Sequence, residues 1–472
     1  MNPLIPDILL LFFPFLIILS RFLFKTKKTI WYLASIFMLF IFILQNTLLL
    51  GETTYVLSNW KIDTFGIFMR EVFTLSALFA LWFSKEYFED ASALKPALQN
   101  FPEFAATVGF ATFGGVIVVS ATELLTLFIG LELATIPMYA LSAWNKKDNE
   151  SAEAAVKFIL MGSLAAAFEL FGFSYLYGFS GSLFFSDIAL KIQESGTDAL
   201  LWISVLFIVS GVGFKLTLFP FHTWAPDVYE GAPTPVTALL SVTSKAVAIA
   251  FMAVLVFGPL ASVQKEISPF LALLAALTLF TGNLGALKQT ELRRFMAYSS
   301  ISQAGYILIA LLGSEQTAKH AILFYFILYT FANYLAFFVF AVAGKTRKEN
   351  FASLNGLSKE SPFLGIALII SLMSLAGIPP LAGFFGKLHL FCAGAETKHY
   401  VLITFAVLNN VLALYYYIQV LKSAWIDEKK ENLQPIKMTV SQKTAVLLLM
   451  ILVIACGFLP FLANNLFAGI SL

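Results

Sequence analysis

Glu132, Lys157, Lys215, His222, Lys245 and Lys387 all lie in or against long apolar runs of this 472-residue chain. A lysine at the centre of a membrane helix costs on the order of 2.5–3.5 kcal/mol. A lone carboxylate at that depth is either protonated or very costly. Burial disfavours the charged form of a lysine, whereas a nearby carboxylate favours it. A lysine whose carboxylate partner moves away therefore releases a proton, and a row of such sites is a proton relay. Histidine adds a step that titrates readily.

The local sequence around each residue sharpens this reading. Glu132 sits mid-span in "LLTLFIGLELATIPMYAL", where pairing with an intramembrane lysine is expected. Lys157 follows Glu153 by four residues, so it reads either as half of a helix-surface ion pair or as a basic site. Lys215 ends an apolar helix that runs into Pro220, Pro226, Gly231, Pro233 and Pro235, with His222 inside the interruption. Proline disrupts helical bonding, and broken helices at membrane depth are typical ion sites. Lys245 lies about ten residues into the next apolar run, near Ser241, Thr243 and Ser244. Lys387 follows a second interruption marked by Gly377, Pro379, Pro380, Gly383 and Gly386. His389 points to a different face and is expected to pack or to lie at the interface. Glu169 is deep but has no motif around it; one reading is a neutral, hydrogen-bonded carboxylic acid. Arg70 sits near a span end and is expected to snorkel. Glu71 and Glu123 are expected to reach headgroups.

The elements that carry these residues are membrane helices. Hydrophobic residues make up 59% of the chain and charged residues 12%, about half the roughly 25% usual in soluble domains. That balance excludes a disordered chain, a nucleic-acid binder and a secreted disulfide scaffold. Cys392 and Cys456 are too few for a thiolate-bound iron–sulfur cluster. No nucleophile–base pair, phosphate loop or metal-ligand cluster is visible. The apolar run after Met1 lacks a basic leader and reads as a retained first span.

A bilayer span needs about 20 apolar residues. The chain offers fourteen, near 3–22, 30–50, 64–84, 103–120, 123–143, 152–178, 200–219, 233–258, 268–287, 292–313, 318–343, 362–394, 399–425 and 441–465. The longest connections, 344–361 and 426–440, read as solvated linkers, and no soluble domain fits. Odd-numbered connections carry 20 Lys/Arg and even-numbered ones five. That asymmetry puts the odd loops in the cytoplasm and both termini on the periplasmic side. The interrupted spans are the seventh and the twelfth. A spacing of five would invert a five-helix repeat across the membrane, a known transporter plan. The expected architecture is an all-α polytopic membrane protein, a single transmembrane domain over 1–472. Its candidate repeats cover about 103–258 and 268–425.

The segments "LFIGLELATIPMYALSAW", "FHTWAPDVYEGAPTPVTALLSVTSKAVA", "RRFMAYSSISQAGYILIALL" and "LAGIPPLAGFFGK" resemble a known family. It comprises the antiporter-like membrane subunits of respiratory complex I and of Mrp-type cation/proton antiporters. The resemblance covers nearly the whole chain. The second segment looks like the N-type branch, since related subunits typically read HTWLPDAH there. The resemblance implies fourteen helices with two inverted repeats. It also implies that Glu132 is the essential fifth-helix glutamate, and that Lys157, Lys215 and Lys245 are the lysines of helices six, seven and eight. His222 matches the histidine of the break, and Lys387 the basic residue of the second broken helix, where M-type subunits usually carry glutamate. One departure is Gln303, where many relatives have histidine; glutamine cannot titrate but can hydrogen-bond through water. The L-type lateral helix is not expected. By this resemblance the subunit holds no cofactor, and FMN, iron–sulfur clusters and quinone belong to partner subunits. Its expected partners are other membrane subunits, including neighbouring antiporter-like ones, the lipid bilayer of a bacterial inner membrane, and protons. The leading expectation is proton translocation coupled to quinone reduction elsewhere in an NADH–quinone oxidoreductase. A subunit of an Mrp-type antiporter is the alternative. A passive scaffold is disfavoured by the cost of the buried lysines.

Overall fold

The computed structural model describes residues 3–24, 26–47, 54–94, 100–145, 148–344, 350–428, 436 and 438–462. The far end of the last expected span and much of the 426–440 connection lie outside them. Twelve helices among the described residues are long and apolar enough to cross a bilayer. The chain is a polytopic helical membrane protein, and it divides into two compact units, residues 1–269 and 270–472.

In the first unit, α1 (Ile5–Leu23), α2 (Lys27–Asn46), α3 (Thr64–Leu94) and α4 (Phe101–Ser120) pack on one another. Pro6 opens α1, where its missing N–H costs nothing. A short hairpin, β1 (Thr54–Leu57) and β2 (Trp60–Ile62), precedes α3 and bridges to Ala121 through Trp60. α5 (Leu124–Ser142) lies against α4 at a close crossing. A Cβ on Gly114 would lie 2.6 Å from the Leu133 carbonyl carbon, and one on Gly130 would lie 2.7 Å from the Val118 nitrogen. Only glycine permits that approach.

α6 (Asn149–Ser180) starts at Asp148, whose carboxylate caps the Glu150 N–H. It ends at Gly181, in the left-handed region at φ 74°. A short helix, α7 (Phe185–Ser195), leads to α8 (Ala199–Leu216), which is capped by Asp198 and packs along α6. α9 (Trp224–Gly231) follows the first interruption. The next span is α10 (Thr234–Leu239), a π-helical turn (Leu240–Ser244) and α11 (Lys245–Phe257), and it is buried along its length. α12 (Gln264–Leu287) runs through the boundary between the units.

The second unit contains α13 (Leu292–Ala310), α14 (Glu315–Gly344), α15 (Leu357–Glu360), α16 (Pro362–Ala376), α17 (Ala382–Glu396), α18 (Tyr400–Trp425) and α19 (Val440–Leu462). α14 is the central post, packing on α16, α17 and α19. The described part of the 344–361 connection is not a simple solvated linker. It forms a 3₁₀ turn (Phe351–Leu354) and α15, and it buries Leu354 and Leu357.

Large apolar side chains stay exposed on α1, α2, α6, α18 and α19, including Phe12, Phe15, Ile36, Leu160 and Leu408. Contiguous apolar faces of this kind are what hydrocarbon covers.

Arg70 corrects an expectation. It does not snorkel: its side chain is 1% exposed and pairs with Asp7 at 3.3 Å. It also donates to Ser120 Oγ at 2.6 Å. α1, α3 and α4 surround it, so its charge is met by protein rather than by headgroups. Glu71 likewise keeps Oε1 buried.

Candidate functional site

The first broken helix positions Lys215. α8 ends in a Schellman motif: the Leu218 N–H reaches the Gly213 carbonyl at 2.7 Å and the Thr217 N–H reaches Phe214 at 3.1 Å. Thr217 itself is left-handed, at φ 60°. Lys215 therefore occupies the last turn, where the helix dipole favours a cation. Trp224 locks the corner, stacking on Phe158 at 4.3 Å and donating from Nε1 to the Phe214 carbonyl at 3.0 Å.

Lys215 Nζ donates to Glu132 Oε1 at 3.0 Å, Thr135 Oγ1 at 3.2 Å and Tyr139 Oη at 3.1 Å. The three acceptors occupy positions i, i+3 and i+7 of α5, which is one helix face. The lysine side chain is 1% exposed and the glutamate 15%. The expected pairing of Glu132 with an intramembrane lysine is present, and Thr135 and Tyr139 are site residues that sequence reasoning missed. Hydroxyls in apolar runs are common, so only the i, i+3, i+7 spacing from Glu132 signals them.

Lys157 makes the i,i+4 pair with Glu153 at 2.7 Å and a second pair with Asp227 of α9 at 2.8 Å. Its side chain is 43% exposed, so it is not sealed in the core. His222 lies in the break and packs against Phe219, with no direct bond to Lys215, and among the described residues its buried Nδ1 has no hydrogen-bond partner.

Lys245 follows the π-helical turn and is 1% exposed. Its Nζ donates to Tyr229 Oη at 3.3 Å and lies over the same ring. Among the described residues no carboxylate is in contact with it. Tyr229 is another partner that sequence reasoning missed.

In the second unit the break repeats the same solution. The Ile378 N–H reaches Met373 at 3.0 Å and the Gly377 N–H reaches Ser374 at 2.9 Å, with Gly377 left-handed at φ 81°. Lys387, on α17, turns back to this end. Its Nζ donates to the carbonyls of Leu375 at 2.9 Å and Ala376 at 3.3 Å, and to Asn410 Oδ1 at 2.6 Å. All three ammonium protons thus find neutral acceptors, two carbonyls at the negative end of α16 and the Asn410 amide oxygen on α18. Gln303 Nε2 shares the Leu375 carbonyl at 3.3 Å, and Gln303 Oε1 accepts from Tyr325 at 2.6 Å. A small cavity beside Lys387, lined by Tyr325, Tyr329, Ser374 and Gly383, has room for about one water. His389 packs on Phe324 and bonds the Phe385 carbonyl at 2.8 Å, a packed imidazole.

Glu169 is fully buried on α6, and among the described residues neither carboxyl oxygen has a hydrogen-bond partner, so of the neutral, hydrogen-bonded reading the hydrogen bond is not seen.

Buried lysines at two helix breaks, one of them ion-paired to a mid-helix glutamate, define an ion-handling membrane protein. Comparison with known proteins gives the family. Residues 121–413 match the model described as "NADH:quinone oxidoreductase/Mrp antiporter, TM", and the chain belongs to this family. It is 37% identical over 402 residues to NADH-quinone oxidoreductase subunit N of Desulforamulus reducens, covering 85% of this chain and 83% of that one. It is 38% identical to chloroplastic NAD(P)H-quinone oxidoreductase subunit 2 of Zygnema circumcarinatum, covering 80% of this chain and 75% of that one. A chain of respiratory complex I from Thermus thermophilus superposes with TM-score 0.81 at 30% identity, covering 97% and 98% of the two chains. A chain of the Mrp complex from Dietzia shares the fold, with TM-score 0.84 at 19% identity over 98% of this chain and 96% of that one.

Proposed function

We propose that this chain is a proton-translocating membrane subunit of an NADH–quinone oxidoreductase. The observation that carries the reading is the pairing of the sealed Lys215 with Glu132 at a helix break, in a chain similar to subunit N. With Glu132 in place, Lys215 holds its proton as a paired ammonium. If Glu132 withdraws, an uncompensated ammonium at this depth costs several kcal/mol. The cheaper state is the neutral amine, so the proton leaves. Lys245 and Lys387, each held by neutral acceptors, are the further stations of the relay. Lys157 and His222 serve the approach to it.

In this reading the subunit carries out no redox chemistry. FMN, iron–sulfur clusters and quinone belong to partner subunits, which drive Glu132 and Lys215 apart through conformational and electrostatic coupling. The other partners are neighbouring antiporter-like subunits in a bacterial inner membrane, with both termini periplasmic. The names of the relatives favour this assignment over an Mrp-type antiporter subunit.

The test uses Lys215→Ala and Glu132→Ala in the assembled complex. Loss of proton pumping with intact assembly is the expected outcome. Normal pumping stoichiometry in both variants sinks the proposal.

A further inference from the structure

Glu169 is a buried carboxyl that the relay above leaves out. It lies in the seam between α6 and α8. A Cβ on Gly211 would overlap Glu169 Cγ and lie 3.1 Å from Cδ, so the carboxyl group rests on the bare backbone of Gly211. Gly211 and Lys215 are four residues apart on α8 and share a face. Tyr139, which accepts from Lys215 at 3.1 Å, packs its hydroxyl against Gly162, seven residues before Glu169 on the same face of α6. Lys215, Glu132 and Tyr139 are all within electrostatic range of Glu169. Glu132 thus meets the lysine from α5, while Glu169 rests on Gly211 from α6, four residues along α8 from the lysine.

The seam holds a second unsatisfied polar group. Ser204 Oγ, two turns towards the start of α8, is buried without a partner among the described residues. Each such group costs about 1–3 kcal/mol. A carboxylate with neither hydrogen bond nor bonded cation costs far more than the acid form, so Glu169 rests with a proton on it.

We propose that Glu169 is the donor that reloads Lys215. This inference rests on the relay reading above. After Lys215 passes its proton onward, the Glu169 O–H bond breaks and an Nζ–H bond forms. The neutral acid and amine become a carboxylate and an ammonium, and no other reactant is consumed. The resulting pair holds Lys215 charged until Glu132 returns. A proton taken up from the aqueous phase then returns Glu169 to the acid form.

Glu169→Gln keeps the shape and removes the exchangeable acid. In the assembled complex it lowers the proton-pumping rate by at least about tenfold, while subunit content is unchanged. Glu169→Asp recovers part of the rate. Infrared difference spectra of the wild-type complex in turnover contain a protonated-carboxyl band that shifts in D₂O. The band is absent from Glu169→Gln and retained in Glu132→Gln. Its absence from the wild type overturns the proposal. Wild-type pumping in Glu169→Gln, with pumping lost in Lys215→Ala, overturns this inference and leaves the relay standing. Wild-type pumping in both variants removes the two together.

Discussion

Lys215 shows what a buried ammonium needs: three acceptors on one face of α5, only one of them charged. A hydrogen bond to a charged group is worth about 1.5–3 kcal/mol. Tyr139→Phe therefore slows proton pumping by roughly tenfold or more, and Thr135→Val acts in the same direction. Both variants assemble, because Glu132 still compensates the charge. Pumping assays on membrane vesicles check this. Glu132→Ala is the harsher change, since it strands a buried cation at a cost of about 3–5 kcal/mol. A lowered thermal midpoint of the purified complex is the expected result. The charged half of this site was legible in the sequence because a Lys and a Glu deep in apolar runs each demand a partner. The hydroxyl half was not, since Thr135 and Tyr139 sit in such runs without penalty. Asn410 escaped notice for the same reason, and Tyr229 because it sits in the break, ahead of the next span.

At the scale of elements, the two interruptions use one hydrogen-bond pattern with different residues at the left-handed position, Thr217 and Gly377. A side chain at Gly377 is strained by its φ of 81° and would crowd Lys387 Cδ at 3.1 Å. Gly377→Ala thus costs at least about 1 kcal/mol and pushes Lys387 off the Leu375 carbonyl. Reduced pumping together with a lower unfolding midpoint is the expected pair of readouts. Gly114 is a second point of contact between packing and chemistry. Gly114→Leu forces α4 from α5 near Leu133, next to Glu132, and the expected result is failed assembly on native gels. The spans themselves were legible because a long apolar run has few alternatives. The hairpin before α3 and the turn ahead of Lys245 were not. Both depend on backbone pairing that no residue type in those stretches demands.

For the whole molecule, the distribution of basic residues makes a topological claim. Odd connections hold most of the lysines and arginines, so Lys28 and the Thr54–Ile62 hairpin belong on opposite sides of the membrane. In a background lacking Cys392 and Cys456, a cysteine at Lys28 is expected to react only from the cytoplasmic side and one at Ser58 only from the periplasmic side. Impermeant thiol labelling of oriented vesicles checks this, and the reverse pattern overturns the assigned orientation. The exposed apolar faces of α1, α2, α18 and α19 were foreseeable as lipid-facing surface. The burial of Arg70 was not, because only three-dimensional packing brings Asp7 and Ser120 to it.

The wide turn at Leu240–Ser244 has a mechanical consequence. It stores one surplus residue within an otherwise regular rod. Were it to tighten to ordinary α-helical winding, the segments on either side would rotate relative to each other by about 100°. Lys245, the first residue beyond it, would swing away from Tyr229 without the rod breaking. The span can thus act as a rotary selector, re-aiming one cation by winding alone.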